Sequence, residues 1–207
     1  MVFSGIVEGT GKITKVSKLE NLTKISIETP QNFSDRIKIG ASVCVDGVCL
    51  TVSSINENVL SFDIIVETLN VTTFRNIKEN DIVNLERSMR LGDEIGGHLL
   101  SGHISATVQI MNIEKPKNNH IIRFSTDSEI LRYVFPKGYI ALNGVSLTVG
   151  EVEKSNNSFS VYLIPETLRL TNLSNKVIGD RINLEVETQT KNMVDTMLQI
   201  NKESIHG

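Results

Sequence analysis

Apolar and polar residues alternate with a period of two along much of the chain, as expected of strands that bury one face. The clearest instance is Asp46-Gly47-Val48-Cys49-Leu50-Thr51-Val52, where Val48, Leu50 and Val52 share one face and Cys49 and Thr51 the other. At an offset of 97, Asn143-Gly144-Val145-Ser146-Leu147-Thr148-Val149 repeats it, with Val145, Leu147 and Val149 apolar and Ser146 and Thr148 small and polar. Asp-Gly and Asn-Gly signal a two-residue hairpin turn, because both turn residues need positive φ. Each copy is therefore expected to be a tight hairpin, with Val45 opposite Val48, Cys44 opposite Cys49, Ser42 beside them, and Ala141 opposite Ser146. The apolar face should be buried and the small polar face left free for a ligand.

Further runs rich in β-branched residues predict strands over Ile6 to Val16, Leu22 to Glu28, Ser42 to Val45, Val48 to Ile55, Val59 to Val66 and Ile82 to Leu85. Turn signals between them suit an antiparallel barrel or sandwich. Thr126-Asp127-Ser128-Glu129 is a capping-box pattern that predicts a helix to about Phe135, stopped by Pro136, with Asn32 to Lys38 as its weaker counterpart. After Thr190, Met193, Val194, Met197, Leu198 and Asn201 fall on one face at helical spacing. Such a helix packs on its own barrel or pairs with the same helix of another subunit.

The hairpin is one part of a longer duplication. Ser4-Gly5-Ile6 through Ile13 aligns with Ser101-Gly102-His103 through Ile110 at the same offset of 97. Beyond a loop after Glu153 that is longer by two residues, the offset becomes 99, and Glu67-Thr68-Leu69 matches Glu166-Thr167-Leu168. Asn80 through Glu86 then matches Gly179 through Glu185, with Asn80 standing for Gly179 at an expected left-handed turn position. Arg87 to Gly97, with three glycines, reads as a linker. The expected organisation is a first unit over 1–97, a second over 98–190 and a terminal helix over 191–207.

Composition narrows the function classes. A hydrophobic content of 40% and a net charge of −3 without a basic stripe describe an ordinary globular protein and argue against a nucleic-acid partner. No apolar run approaches the roughly 18 residues that span a bilayer, and the N-terminus lacks the pattern of a signal peptide, so the cytoplasm is the expected location and no membrane is expected. The two cysteines are then expected to be reduced.

Taken singly, the candidate chemical residues carry little. A lone His103 in a strand is usually structural, and His98 lies five positions away on the opposite face, which argues against a shared metal. Cys49 has no neighbouring cation in sequence to lower its pKa. Glu67 and Glu166 read singly as strand-end polar groups, although their repetition in both copies favours a shared role, and Lys137 as a loop-tip charge unless a ligand lies above it. Taken as a pair, two similar units with two similar clefts suit a reaction between two like substrates, or a binder with one site retained.

Phe3-Ser4-Gly5-Ile6-Val7-Glu8, the Asp46 to Val52 hairpin, Asp93 through Ile104 with its His98 and His103, and Gly144 through Gly150 together resemble riboflavin synthase of the alpha-chain type. The resemblance covers nearly the whole chain; the same fold also serves non-catalytic lumazine- and flavin-binding antenna proteins. It implies an all-β architecture of two tandem homologous six-stranded Greek-key antiparallel barrels plus a C-terminal α-helix, assembled as a homotrimer through that helix. It implies a dismutation of two 6,7-dimethyl-8-ribityllumazine molecules by four-carbon transfer, giving riboflavin and 5-amino-6-ribitylaminouracil, with no metal or redox cofactor. Lumazine synthase is the candidate protein partner. One pocket should use Gly5, Ile6, Val7, Cys49, Leu50, Thr51, Asp63, Ile64, Ile65, Val66, Glu67 and Thr68. The other should use Gly102, His103, Ile104, Lys137, Ser146, Leu147, Thr148, Tyr162, Leu163, Ile164, Pro165, Glu166 and Thr167. His103 with Thr148 or Ser146 is expected to manage the proton of the reacting 7-methyl group, with Ser42, Cys49 and Thr51 assisting in the first unit. Two departures from the family pattern are Val48, where some members carry a second cysteine, and Glu187, where an aspartate is common.

Overall fold

The structure, a computed structural model, describes residues 2–117 and 119–206, with side chains as far as Glu203. The first repeat contains β1 (Gly9–Lys18), β2 (Leu22–Glu28), β3 (Ser42–Val45), β4 (Val48–Asn56), β5 (Val59–Ile65), the short helix α1 (Val66–Val71) and β6 (Ile82–Arg87). The second contains β7 (Ala106–Glu114), β8 (His120–Ser125), α2 (Ser128–Leu131), β9 (Tyr139–Leu142), β10 (Val145–Glu153), β11 (Ser158–Leu163), α3 (Pro165–Leu170) and β12 (Arg181–Val186). Each set of six strands closes into an antiparallel barrel. The order around the first is β1-β2-β5-β4-β3-β6, and the second runs through the equivalent strands in the same order. A helix, α4 (Thr188–His206), follows.

Alternation does what the sequence predicts in the hairpins. Asp46 and Gly47 have φ of 45° and 84°, Asn143 and Gly144 of 46° and 77°, so both turns take the doubly positive form that matches strand twist. The predicted pairs Val45 with Val48, Cys44 with Cys49 and Ala141 with Ser146 all form, and Ser42, on the same face as the cysteines, pairs with Thr51. Val48, Leu50 and Val52 pack into the first barrel's core with Phe62 and Leu85; Val145, Leu147 and Val149 pack into the second with Phe124 and Phe159. Asn80 (φ 75°) and Gly179 (φ 98°) both take the left-handed turn conformation.

Several expected boundaries move. Residues 4–8 are not the start of β1: the Ser4 and Gly5 amides donate to the Glu86 carboxylate and the Ile6 amide to the Ser4 hydroxyl, so the chain first bonds β6 at Glu8, whose amide donates to the Leu85 carbonyl. Backbone from Val66 turns into α1 instead of extending β5, and Pro165, at the first helical position where its missing N–H costs nothing, starts α3. Glu67 and Glu166 thus lie in the first turns of short helices, not at strand ends. The predicted 126–135 helix is reduced to α2: Asp127, not Thr126, is its cap, accepting from the Ile130 amide at 2.7 Å. Its counterpart in the first barrel is a single 3-10 turn at Ser34–Arg36.

The barrels are joined by exchange. Phe3 and Leu100, one from the segment preceding each barrel, trade two backbone hydrogen bonds of 2.9 Å, and with Cys44 and Ala141 they form a small apolar cluster between the barrels. Burying a side chain such as Phe3 contributes about 2 to 3 kcal/mol. Val7 joins the core of the second barrel, and Ile104 packs against that of the first. Beside them lies a fully buried polar junction. Asn84 Nδ2 donates to the Asn143 carbonyl and Asn183 Nδ2 to the Asp46 carbonyl, each at 2.9 Å. Asp46 Oδ1 accepts from the Asn84 amide and from Asn172 Nδ2. Its counterpart Asn143 accepts from the Asn183 amide.

Candidate functional site

The site is built around two lead-in segments, 4–6 and 101–103, each pinned in the same way. Glu86 on β6 accepts from the Ser4 amide (2.7 Å), the Ser4 hydroxyl (2.8 Å) and the Gly5 amide (3.1 Å). Glu185 on β12 repeats this with the Ser101 amide and hydroxyl (2.7 Å each) and the Gly102 amide (3.0 Å). Burial pushes the Glu86 carboxyl up to about 7 against these donors, and raises Glu185 in the same direction.

So held, each segment reaches the hairpin of the other barrel. The Gly5 carbonyl accepts from the Ser146 amide and the Gly102 carbonyl from the Cys49 amide, both at 2.9 Å. Gly5 and Gly102 have φ of 75° and 76°. A Cβ on either would stand 2.5 Å from the Cβ of Ser146 or Cys49, so only glycine allows the approach. The polar hairpin faces are therefore not left free as the alternation suggested: Ser42 and Cys44 are buried and Cys49 and Ser146 half-buried, while Thr51 and Thr148 remain exposed.

The residues expected in one pocket are thus regrouped. Gly5 and Val7 lie against the second barrel, beside Ser146 and its core, and Gly102 and Ile104 against the first, beside Cys49. The side chains of Leu50, Ile64, Leu147 and Leu163 point into the barrel cores, and their backbones lie within the sheets, opposite Val43, Thr23, Ile140 and His120. Ile65, Val66, Ile164 and Tyr162 are exposed near the rims, with Thr68 and Thr167 half-buried in α1 and α3. Glu166 is tied to Arg169 at 2.6 Å, Asp63 lies 3.5 Å from Lys24, Glu67 is exposed, and Lys137 sits at φ 68° on an exposed turn before β9.

Two open recesses flank the lead-in segments. One of about 660 Å³ is lined by Ser4, Ile6, Ser42, Glu86 and Arg87, with Arg36, Lys38 and Arg90 at its edge. The other, about 530 Å³, is lined by the counterparts Ser101, His103, Glu185 and Val186, with Tyr133 and Lys191 added. His103 is exposed there, whereas Ser146 is held by a different histidine: His98 Nδ1 lies 2.6 Å from the Ser146 hydroxyl oxygen.

On sequence, His98 and His103 are expected on opposite faces of an extended segment, against a shared metal, and His98 is given no chemical role of its own. His103 is exposed and His98 lies inside, stacked on Tyr139 at 5.3 Å, with Nε2 buried and without a hydrogen-bond partner among the described residues. Burial lowers its pKa, opposed by the nearby Glu187 carboxylate. Glu187 in turn caps α4, accepting from the Gln189 and Thr190 amides. Glu86 and Glu185 were also missed, although each closes a duplicated Asn-Leu-Glu run.

The lumazine binding domain family matches residues 4–88 and again residues 101–187. Among sequence relatives, the chain is 44% identical to riboflavin synthase of Escherichia coli over 200 residues, covering 96% of this chain and 93% of the other. It is 43% identical to riboflavin synthase of Chlamydia pneumoniae over 199 residues, covering 96% of each. Among solved structures, LumP complexed with 6,7-dimethyl-8-(1'-D-ribityl) lumazine superposes with a TM-score of 0.80 at 27% identity, and LumP complexed with riboflavin with 0.81 at 29%. Each superposition covers 89% of this chain and 98% of the other.

Proposed function

We propose a division of labour between the two barrels from one premise: the chain belongs to the riboflavin synthase family and is built of two lumazine-binding domains. Its reaction is the dismutation of two 6,7-dimethyl-8-ribityllumazine molecules into riboflavin and 5-amino-6-ribitylaminouracil. The units 1–97 and 98–190 each hold one lumazine, and 191–207 joins subunits. In the first, Cys49, Thr51 and Ser42 meet the ring and the segment Asp63 to Thr68 takes the ribityl chain. In the second, Ser146, Thr148 and His103 meet the ring, and Tyr162 to Thr167 takes the chain, with Lys137 above it. Backbone of Thr51 and Thr148, at ladder positions that exchange no hydrogen bonds with β3 and β9, pairs with the donors and acceptors on the lumazine edge.

The observation that supports two working sites is the reciprocal pinning. Cys49 and Ser146, one reactive side chain per barrel, are held in matching positions by Gly102 and Gly5, and each keeps a threonine two residues on. Proton removal from one 7-methyl group and attack at carbon 7 of the other ring need such groups in place. In the second barrel His98 orients the Ser146 hydroxyl, while His103 takes the substrate proton from the open recess. Holding both rings in contact supplies much of the rate, since alignment saves up to roughly 7 to 11 kcal/mol of entropy.

Two lumazines must meet face to face, and the proposed meeting place lies between the first barrel of one subunit and the second of another in a homotrimer. The exposed stripe Met193, Met197 and Leu198 on α4 is consistent with subunits joining there, while Tyr133, donating to Asp195 at 2.6 Å, anchors the helix root to the second barrel. The proposed setting is the cytoplasm, with lumazine synthase, whose name gives it as the source of the substrate, as partner.

Purified protein mixed with 6,7-dimethyl-8-ribityllumazine alone should develop the riboflavin absorption band with one pyrimidine product per flavin. A lumazine spectrum that shifts on binding and then stays constant would mean a carrier like the antenna proteins instead.

A further inference from the structure

Both cysteines of the chain lie in one hairpin and face each other across it. Val45 and Val48 flank the two-residue turn, so Cys44 and Cys49 form the next pair, the one without mutual backbone hydrogen bonds. The Cys49 amide accords with this by pointing away from β3 to the Gly102 carbonyl at 2.9 Å. In such a pair the Cα atoms stand about 4.5 Å apart with both side chains on one face. That lies inside the window of about 4.4 to 6.8 Å that a disulfide spans. Cys44 is buried in the cluster of Phe3, Leu100 and Ala141, and Cys49 packs on the same cluster while remaining half-exposed. One thiol is thus reachable from solvent and the other is stored directly behind it.

We propose that Cys44 and Cys49 form a reversible cross-strand disulfide that switches off the first barrel's site. A low-molecular-weight disulfide such as oxidised glutathione is the oxidant. Cys49 loses its proton to solvent, and its sulfur attacks one sulfur of the oxidant. The oxidant's S–S bond breaks, and one glutathione leaves and takes up a proton. Cys44 then loses its proton and attacks the Cys49 sulfur of the mixed disulfide, expelling the second glutathione as a thiol. Two protein thiols are oxidised and one small disulfide is reduced to two thiols. Burial raises both cysteine pKa values, so the exchange is slow at neutral pH and quickens as pH rises; the product disulfide is uncharged and carries no such penalty. The ring it closes is very short, which gives little entropic stabilisation and leaves the bond easily reduced, as a switch requires.

The effect on turnover rests on Cys49 belonging to the lumazine site; the disulfide itself does not. The full chain is incubated with oxidised glutathione at alkaline pH, its remaining thiols are alkylated, and its mass, free thiols and turnover are followed. Free thiols should fall from two to none with a loss of two hydrogens and no glutathione adduct. Turnover should fall about tenfold or more, the scale of losing a positioned reactive group, and return with dithiothreitol. Cys44→Ala, with Cys49 intact, should instead retain one glutathione on Cys49. Two persisting thiols, or a glutathione adduct accumulating on the unmodified chain as on the variant, would overturn the disulfide. A disulfide that leaves turnover unchanged would overturn the switch and remove Cys49 from the site. Thiol count and mass settle the disulfide whether or not the reduced protein turns lumazine over, so the two readings fail separately.

Discussion

Replacing Asp46 by Asn should stabilise the protein above neutral pH. Asp46 is fully buried where the barrels meet, and burial pushes its carboxyl from the usual 3.8 up to about 7, although Lys176, the Asn84 amide and the Asn172 side chain favour the charge. A gap of about 3 pKa units corresponds to about 4 kcal/mol at roughly 1.4 kcal/mol per unit, an upper bound that relaxation of the junction will reduce. The folded state holds this proton more tightly than the unfolded chain does. The stability it contributes is therefore fully present below about pH 3.8 and lost as pH rises through about 7. The side chain introduced by Asp46→Asn would keep the Oδ1 that accepts from Asn84 and Asn172, and the other repeat already carries Asn143 at this place. The variant's advantage over the parent should be small near pH 4, grow with pH, and level off above 7. Because the chain has no Trp, guanidinium unfolding followed by far-ultraviolet circular dichroism at a series of pH values measures it. Glu86, whose carboxyl burial also pushes up to about 7, is common to both proteins and cancels in the difference. A variant less stable than the parent at pH 8 would refute the reasoning, since it would mean that the junction favours the carboxylate over a neutral group.

Other changes probe the site. Gly102→Ala combines a left-handed φ with a Cβ 2.5 Å from Cys49 and should cost about 2 to 4 kcal/mol in a thermal melt; Gly40→Ala, at φ 87° with open space around it, should cost only about 1 kcal/mol. His98→Gln should lower kcat about tenfold with little change in lumazine affinity. In the parent the rate should fall as pH drops through the lowered His98 pKa, because the protonated imidazole no longer accepts from Ser146; this acid limb should vanish in the variant, and its persistence would exclude His98 as its source. Met193→Glu with Met197→Glu should reduce the sedimentation mass toward that of a single chain, and an unchanged mass would place the subunit contact elsewhere.

How much of this could be read from the sequence depended on the range of the forces involved. Turn chemistry and alternation are local, so the hairpins with their facing residues, the cysteine pair among them, and the left-handed Asn80 follow from a few adjacent residues. Helices α1 and α3 were hidden because six-residue helices carry too few turns for a period to show; Pro165 was the available sign. The segment around Gly5 failed for a different reason. Its residues alternate like a strand, but a carboxylate more than eighty residues away, Glu86, takes its amide hydrogens, and no local propensity contains that competition.

The candidate site follows the same rule. The repeated small polar residues pointed to Cys49, Thr51, Ser146 and Thr148, because each lies on a face defined by its own strand. What surrounds them depends on the crossing of each lead-in segment to the opposite barrel, which assigns Gly102 to Cys49 and Gly5 to Ser146. Duplication makes this exchange possible: two barrels with the same glycine and the same clamping glutamate can each complete the other. In the mechanism proposed above, substitutions that break the likeness, His103 for Ile6 and Ser146 for Cys49, let the two halves differ in chemistry while keeping one geometry. Two identical substrates that must play unequal roles, one giving four carbons and the other receiving them, need that combination of like shape and unlike side chains.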